Sequence, residues 1–435
     1  MNYEQKKEKL LKDFAKRNKL AIKKKTSHLY GDRIKQKRPG LDMTVFNKVI
    51  SIDKNKLIAE VEGMCTYETF VDATLKHGLL PTVAPELKSI TVGGAYAGIG
   101  VESSTFKFGF VHETILESDI LTPKGIVTCS KDKNSDLFFT FPNTYGTLGY
   151  ATRVKVMLIK AKKYVKVQKF LFADADEFIE KTKEVIKTNP DFVDGLVFSP
   201  TEHILCVGTF TDTPGTVSDY TYLNVFYKSV RKPGVDYLKT RDYIFRYDTD
   251  LFWASKSLGL ENRFLRRLVG KKRLRSDWYY KLLKFETRYK ILATIHNLVG
   301  KKSESLIQDV EIPIDKAADY LRWFQKNICS DIPIVFGPGR QFNKKVTYHM
   351  WPFKELTMNL GFYSSIPSKL PPGTLNKRYD QKMIKEGCYK MLYSNVTLTK
   401  KEFWSMFNEK KYNQVKSTYD PDSQLKDLYT KCTSR

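Results

Sequence analysis

Apolar and polar positions alternate in short runs through the first third of the chain. Residues 49–52 and 57–61 are two such runs, and the polar Asp53-Lys54-Asn55-Lys56 between them predicts a hairpin. Next comes a helical period. Tyr67, Phe70, Val71 and Leu75 share one face, Thr66 stands at the N-cap position, and Gly78 follows the end. Residues 114–121 and 126–129 read as strands around the turn Pro123-Lys124-Gly125, and 134–139 as one capped helical turn. Val154, Val156 and Leu158 alternate with Arg153, Lys155 and Met157, which predicts a half-buried strand.

The pattern changes near residue 163. A strand (164–172), a helix (174–188) and two strands (193–199, 203–210) follow one another. The same order returns as 306–312, 314–326, 332–336 and 356–363. Two strand–helix–strand–strand units predict an antiparallel sheet backed by helices, an α+β arrangement. Between them, 227–289 is basic, aromatic and helix-like, and 386–435 reads as mainly helical. The divisions that follow are 1–162, 163–385 and 386–435.

Composition narrows the classes. With 41% hydrophobic and 13% aromatic residues in 435, the chain has ample material for packed cores. No apolar run reaches the ~18 residues of a membrane-spanning helix, and the charged start lacks a signal-peptide core. The cysteines Cys65, Cys129, Cys206, Cys329, Cys388 and Cys432 have no metal-ligand spacing. They suggest free thiols in a reducing, cytoplasmic setting. His28, His77, His203, His296 and His349 form no constellation either, so no metal is expected. The formal net charge of +26 would attract polyanions and anionic membranes, although it is spread along the chain, as a plain lysine bias would leave it. The segment "NRFLRRLVGKKRLRSDWYYKLLKF" (262–285) concentrates cations among Phe, Leu, Trp and Tyr. It fits an amphipathic stretch against an anionic membrane, and equally a solvated helix with an apolar core face. No nucleic-acid-binding motif accompanies it.

One stretch departs from the lysine-rich background. "ITVGGAYAGIGVESSTFKFG" (90–109) has five glycines and little charge. Glycines let the main chain approach a diphosphate, successive N–H groups can form an anion nest, and Thr91, Ser103, Ser104 and Thr105 add hydroxyls. The stretch is neither a P-loop nor a nicotinamide-type fingerprint, because no Gly-Lys-Ser/Thr follows and the glycine order differs. By spacing alone, a glycine-rich surface loop accounts for it as well.

The run "PTVAPELKSITVGGAYAGIGVESSTFKFGFVHETILESDILTPKGIV", with "NSDLF" and "YGTLGYATRVKVMLIKAKKYV", resembles the FAD-binding domain of the vanillyl-alcohol-oxidase (PCMH-type) flavoprotein superfamily. Within it, the chain most resembles the 24-dehydrocholesterol reductase (Diminuto/Dwarf) group, and the likeness continues in "LIQDVEIPIDKAADYL" and "KMLYSNVTLTKKEFWSMF". The resemblance implies a PCMH-type domain of two α+β subdomains plus an antiparallel-sheet cap over the substrate. It implies non-covalent FAD, NADPH as reductant, and reduction of a sterol side-chain double bond. An oxidase or dehydrogenase of an alcohol or sugar-type substrate is the alternative, and a basic nucleic-acid-binding protein on a decayed flavin fold a second.

By residue match, cofactor contacts fall on Thr91, Gly93, Gly94, Gly98, Gly100, Glu102, Ser103, Ser104, Gly109 and His112. Gly146, Thr147, Leu148 and Gly149 fall on the adenine–ribose side, and Lys25, Thr26 and Ser27 on the first diphosphate loop. That loop, "KKTSHLYGD", departs from the glycine-rich turn of many relatives. The candidates for proton chemistry are His112, Tyr393 and one of Gln308 and Asp309, which alternate on the strand "LIQDVEIP".

Overall fold

The computed structural model describes residues 1–17, 20–24, 40–289, 302–343 and 356–433. A helix, Tyr3–Ala15, opens the chain, with Asn2 and Gln5 closing a reciprocal capping box. A two-residue parallel pair, β1 (Ile22–Lys23) and β2 (Leu41–Asp42), follows. The first sheet comprises β3 (Val49–Asp53), β4 (Ile58–Glu62), β5 (Leu79–Pro81), β6 (Ile115–Thr122), β7 (Gly125–Ser130) and β8 (Tyr150–Lys160). Its order is β3-β4-β8-β6-β7, with β5 on β8. The predicted hairpin and the Thr66-capped helix (Tyr67–Leu75) are both present.

The second sheet takes β9 (Tyr164–Phe172), β10 (Phe192–Ser199), β11 (Glu202–Thr211), β12 (Gly234–Lys239), β13 (Ser303–Pro313), β14 (Ile334–Gly339), β15 (Thr357–Pro367) and β16 (Tyr389–Lys390). Among the described residues its order is β12-β9-β11-β10-β14-β15-β13-β16. The two repeated units therefore join edge to edge. β10 pairs antiparallel with β14, and the order on one side (first, third, second strand) is mirrored on the other. The helices Ala175–Lys187 and Ala317–Asn327 pack on this sheet through Phe178, Ile179, Leu321 and Phe324. Asp174 caps the first by accepting from the N–H groups of Asp176 and Glu177.

Two elements differ from the sequence reading. The basic segment contains the edge strand β12, where only helix was expected. The glycine stretch is not a loop throughout, because Val92–Gly98 forms a short helix capped by Thr91.

The sheets meet along a cleft. The Val193 N–H of β10 donates to the Ser103 carbonyl at 2.8 Å, tying the second sheet to the glycine segment. The helix Glu409–Tyr419 returns to the first sheet's side, where Tyr412 Oη lies 2.9 Å from Thr147 Oγ1 and Lys416 Nζ donates to the Thr147 carbonyl at 3.1 Å. The C-terminal segment thus braces the Gly146–Gly149 turn from below. Among the described residues no helix is long and apolar enough to cross a membrane.

Candidate active site

One wall of the cleft is main chain. Gly93, Gly94, Gly98 and Gly100 line it with Thr91, Glu102 and Ser103, facing Gly146 and Gly149 of the β8 turn. The glycines are required by what stands behind them. A Cβ on Gly93 would lie 2.8 Å from the Gly63 carbonyl oxygen, and one on Gly100 2.7 Å from Val111 Cγ2. Gly146 and Gly149 hold φ of +84° and +137°, where side chains are strained. Tyr145 bridges the two sides, donating to the Gly98 carbonyl at 3.0 Å and accepting from the Leu392 N–H at 3.0 Å.

The N–H groups of this wall correct the expectation of an open nest. Gly93 N–H donates to the Gly63 carbonyl (2.8 Å), Gly94 N–H to Thr91 Oγ1 (3.2 Å) and Gly100 N–H to the Ala95 carbonyl (3.2 Å). These glycines contribute closeness and absence of charge more than donors.

The other wall is built from acidic side chains. Asp309 of β13 accepts from Tyr393 Oη at 2.6 Å and from Tyr363 Oη at 2.8 Å, and all three line the cleft. Shielding from water raises the Asp309 carboxyl to about 6, against the opposing pull of the two phenols. The same shielding pushes Tyr393 well above the usual phenol range. The Tyr363 ring is held by Phe252, stacked at 4.3 Å. Beside this triad, Arg246 bridges Glu86 (2.5 Å) and Asp194 (2.6 Å), with its guanidinium 4.2 Å from the Tyr243 ring centroid. Desolvation raises Glu86 and Glu102 above the carboxylate range; the Glu86 charge raises Glu102 further, and Asp194 and Asp309 raise Glu86 against the pull of Arg246.

The FAD binding domain family matches residues 5–130. Delta(24)-sterol reductase of Pisum sativum is 26% identical over 443 residues, covering 90% of this chain and 76% of the relative. The Homo sapiens protein of the same name is 27% identical over 401 residues, covering 88% and 75%. Residues 5–130 are thus similar to an FAD binding domain, in a chain that resembles the Delta(24)-sterol reductases over about nine-tenths of its length. Cytokinin dehydrogenase 3 of Arabidopsis thaliana is 36% identical over 151 residues, 34% of this chain and 29% of the relative.

As an FAD-dependent oxidoreductase, the chain must seat an extended dinucleotide against both sheets, and the cleft has that layout. It runs from the Gly146 and Gly149 turn on the first sheet to Asp309, Tyr363 and Tyr393 on the second, past bare backbone. The glycines let a bulky anionic group come close to the main chain, and burial raises Glu102, the carboxyl on this wall, well above the ordinary carboxylate range, so the residues present fit FAD.

The predicted site residues divide on this geometry. Thr91, Gly93, Gly94, Gly98, Gly100, Glu102, Ser103, Gly146, Gly149, Asp309 and Tyr393 line the cleft. The other described candidates do not, and each has another task. Ser104 donates to the Thr82 carbonyl, Thr147 to the Thr144 carbonyl, and Leu148 is core. Gly109 takes φ +82° beside the Glu113 side chain, which accepts from the Phe110 N–H. Gln308 points to the opposite face of β13, where it meets Asn376, Ser394 and the Asn395 carbonyl. His112 lies in a separate small cavity with Glu113, Phe138 and Asn343, stacked on Phe110, and burial lowers its ring to about 3. Lys25, Thr26 and Ser27 lie outside the described residues.

Glu86, Asp194, Arg246, Phe252 and Tyr363 were not singled out from the sequence. Asp194 did carry a signal, as a lone carboxylate inside the apolar run "FVDGLVF".

Proposed function

We propose that this oxidoreductase reduces a carbon–carbon double bond in a large apolar molecule of the sterol side-chain type, with NADPH as reductant and FAD held non-covalently. The relatives' names support the substrate class. The observation that carries the chemistry is the Asp309–Tyr393–Tyr363 cluster inside the cleft. Bound FAD supplies hydride chemistry; the chain must supply a proton to the other carbon of an unactivated alkene.

The hydrogen bonds say when it can. With Asp309 ionised, both phenols point their protons at its oxygens. With Asp309 protonated, a phenol is released to donate into the cleft and is refilled from the carboxyl. The proton-delivering state is therefore the protonated one, and delivery falls as pH rises through about 6. Phe252, Phe336 and Met391 give this end of the cleft an apolar lining suited to such a substrate. No histidine or cysteine lines the cleft among the described residues, which supports a non-covalent cofactor, and acid denaturation should release the flavin into the supernatant.

The partial likeness to cytokinin dehydrogenase 3 favours a second reading, in which the chain is an oxidase or dehydrogenase of an alcohol or sugar-type substrate and Asp309 acts as base. The deciding assay is anaerobic turnover of a Δ24-unsaturated sterol with NADPH and added FAD, read as a mass gain of two hydrogens. The proposal predicts that product. Flavin reduction by an alcohol or sugar, with no sterol product, selects the second reading. We also propose reversible contact of the 262–285 segment with an anionic membrane surface, from which such a substrate would be drawn.

A further inference from the structure

The short helix Arg263–Val269 is unusual for what it leaves in solvent. Its polar side is fixed inside the protein: Arg266, fully buried, pairs with the buried Asp250 at 2.6 Å. Phe264 and Leu268 lie two residues to either side of Arg266, on the opposite face of the helix, and are 64% and 65% exposed. Leu265 and, in the preceding turn, Leu258 are exposed beside them. A helix anchored by its arginine and showing its largest apolar groups to water is inverted relative to a core-facing surface helix.

Cations surround this ridge. Arg263, Arg267, Lys271, Lys272 and Arg273 are exposed, and the one carboxylate whose field reaches them among the described residues, Asp219 toward Lys271, is also hydrogen-bonded to Thr221. The neighbouring acids are engaged elsewhere: Asp250 with Arg266, Glu261 with Tyr227 and Lys228, Asp277 with Arg275. Gly270, at φ +80°, ends the helix and turns the chain so that the basic turn Lys271–Arg273 follows the ridge directly. The next helix, Ser276–Tyr289, exposes Leu282 and Phe285 while its Tyr280 lines the cleft.

We infer that Phe264, Leu265 and Leu268 insert into the interface of an anionic phospholipid leaflet, with the five cations at head-group level, and that this seats the Tyr280 wall of the cleft toward the membrane. Charge complementarity selects an anionic leaflet: apolar side chains flanked by exposed cations match acyl chains beneath phosphate and carboxylate head groups. The inference rests on the proposed membrane contact and names the residues that make it. Each basic residue at such a surface raises affinity about fivefold, and the gain falls with salt.

The test is co-sedimentation of the full chain with sterol-free vesicles, of phosphatidylcholine alone or with phosphatidylserine added. The expected result is binding only to the anionic vesicles, weakening as salt rises. The triple variant Lys271→Glu, Lys272→Glu, Arg273→Glu should lose about a hundredfold in affinity or more. The variant Phe264→Ser, Leu268→Ser, which leaves every charge in place, should lose about tenfold or more while keeping the wild-type melting temperature. Equal binding to neutral and anionic vesicles would overturn the inference. So would unchanged vesicle binding by the Phe264/Leu268 variant, or a self-associated chain in which Phe264 is buried without lipid. A nucleic-acid role would show as duplex binding lost in the triple variant and untouched in the ridge variant, with no vesicle binding, and that too overturns it. Because the vesicles hold no sterol, the assay is independent of turnover. Vesicle binding without sterol reduction rejects the substrate reading alone, and turnover of detergent-dispersed sterol without vesicle binding rejects the ridge alone.

Discussion

The two walls of the cleft are made in opposite ways. The first-sheet wall is backbone: glycines whose N–H groups are already paired and whose missing side chains let Gly63, Val111 and Tyr145 stand close behind. The facing wall is side chain: Asp309 under two phenols, and Asp194 of β10 joined through Arg246 to Glu86, which follows β5. A wall made mostly of bare main chain suits a bulky cofactor that must lie close against it. A wall of shielded carboxylates suits proton movement, because shielding keeps acids protonated near neutral pH. The difference teaches a division of labour. On the proposed function, retention would fall to one face and chemistry to the other, so substitutions on each should fail differently.

The largest effect is expected on the glycine wall. Gly94→Asp brings a Cβ to 2.8 Å from Thr91 Oγ1 and a carboxylate into the cleft. The purified variant should carry no flavin absorbance while staying folded by circular dichroism. Next is Arg246→Met on the facing wall. It leaves two buried carboxylates without their cation and should reduce stability by about 3–5 kcal/mol in denaturant titration. Flavin should stay bound below the transition. Should Arg246→Met shed flavin as completely as Gly94→Asp, the separation of roles fails. The smallest effect is at His112. Its ring sits outside the cleft and is held neutral by burial, so His112→Phe should leave turnover and flavin content unchanged. A large loss of turnover with flavin retained would bring the histidine back into the chemistry.

The same contrast explains what could be read from the sequence. The backbone wall was legible because glycine leaves a mark in composition: five in twenty residues, in a lysine-rich chain. The sheets were legible from alternation, and the repeated strand–helix–strand–strand order foreshadowed the β10–β14 join. Alternation also foretold that only one of Gln308 and Asp309 reaches the cleft, without saying which. The acidic wall was largely hidden. Glu86, Asp194 and Arg246 come from three segments, brought together only when the β10 strand and the turn after the helix Thr240–Ile244 meet the segment that follows β5. Edge strand β12 was hidden too. Its six residues begin at a glycine and form a ladder with β9 alone, with a single bridge from Tyr237 to Val217 on the other side, which leaves a weak alternation inside a strongly basic background. The expectation of free N–H donors failed for a physical reason: buried main-chain donors find partners, and the Gly63 carbonyl and the Thr91 hydroxyl take these two.

The central claim is that the carboxylate wall delivers the proton, and the pH profile of kcat/KM for wild type and Asp309→Asn tests it most directly. Asp309 is raised from the ordinary carboxylate range to about 6, so its protonated form is populated below that pH and lost above it. Wild-type turnover should therefore fall with rising pH on a limb centred near 6. Asp309→Asn should keep its flavin, lose about 10²–10⁴-fold in rate, and show no limb there. A limb of the same position and depth in both proteins would contradict the account.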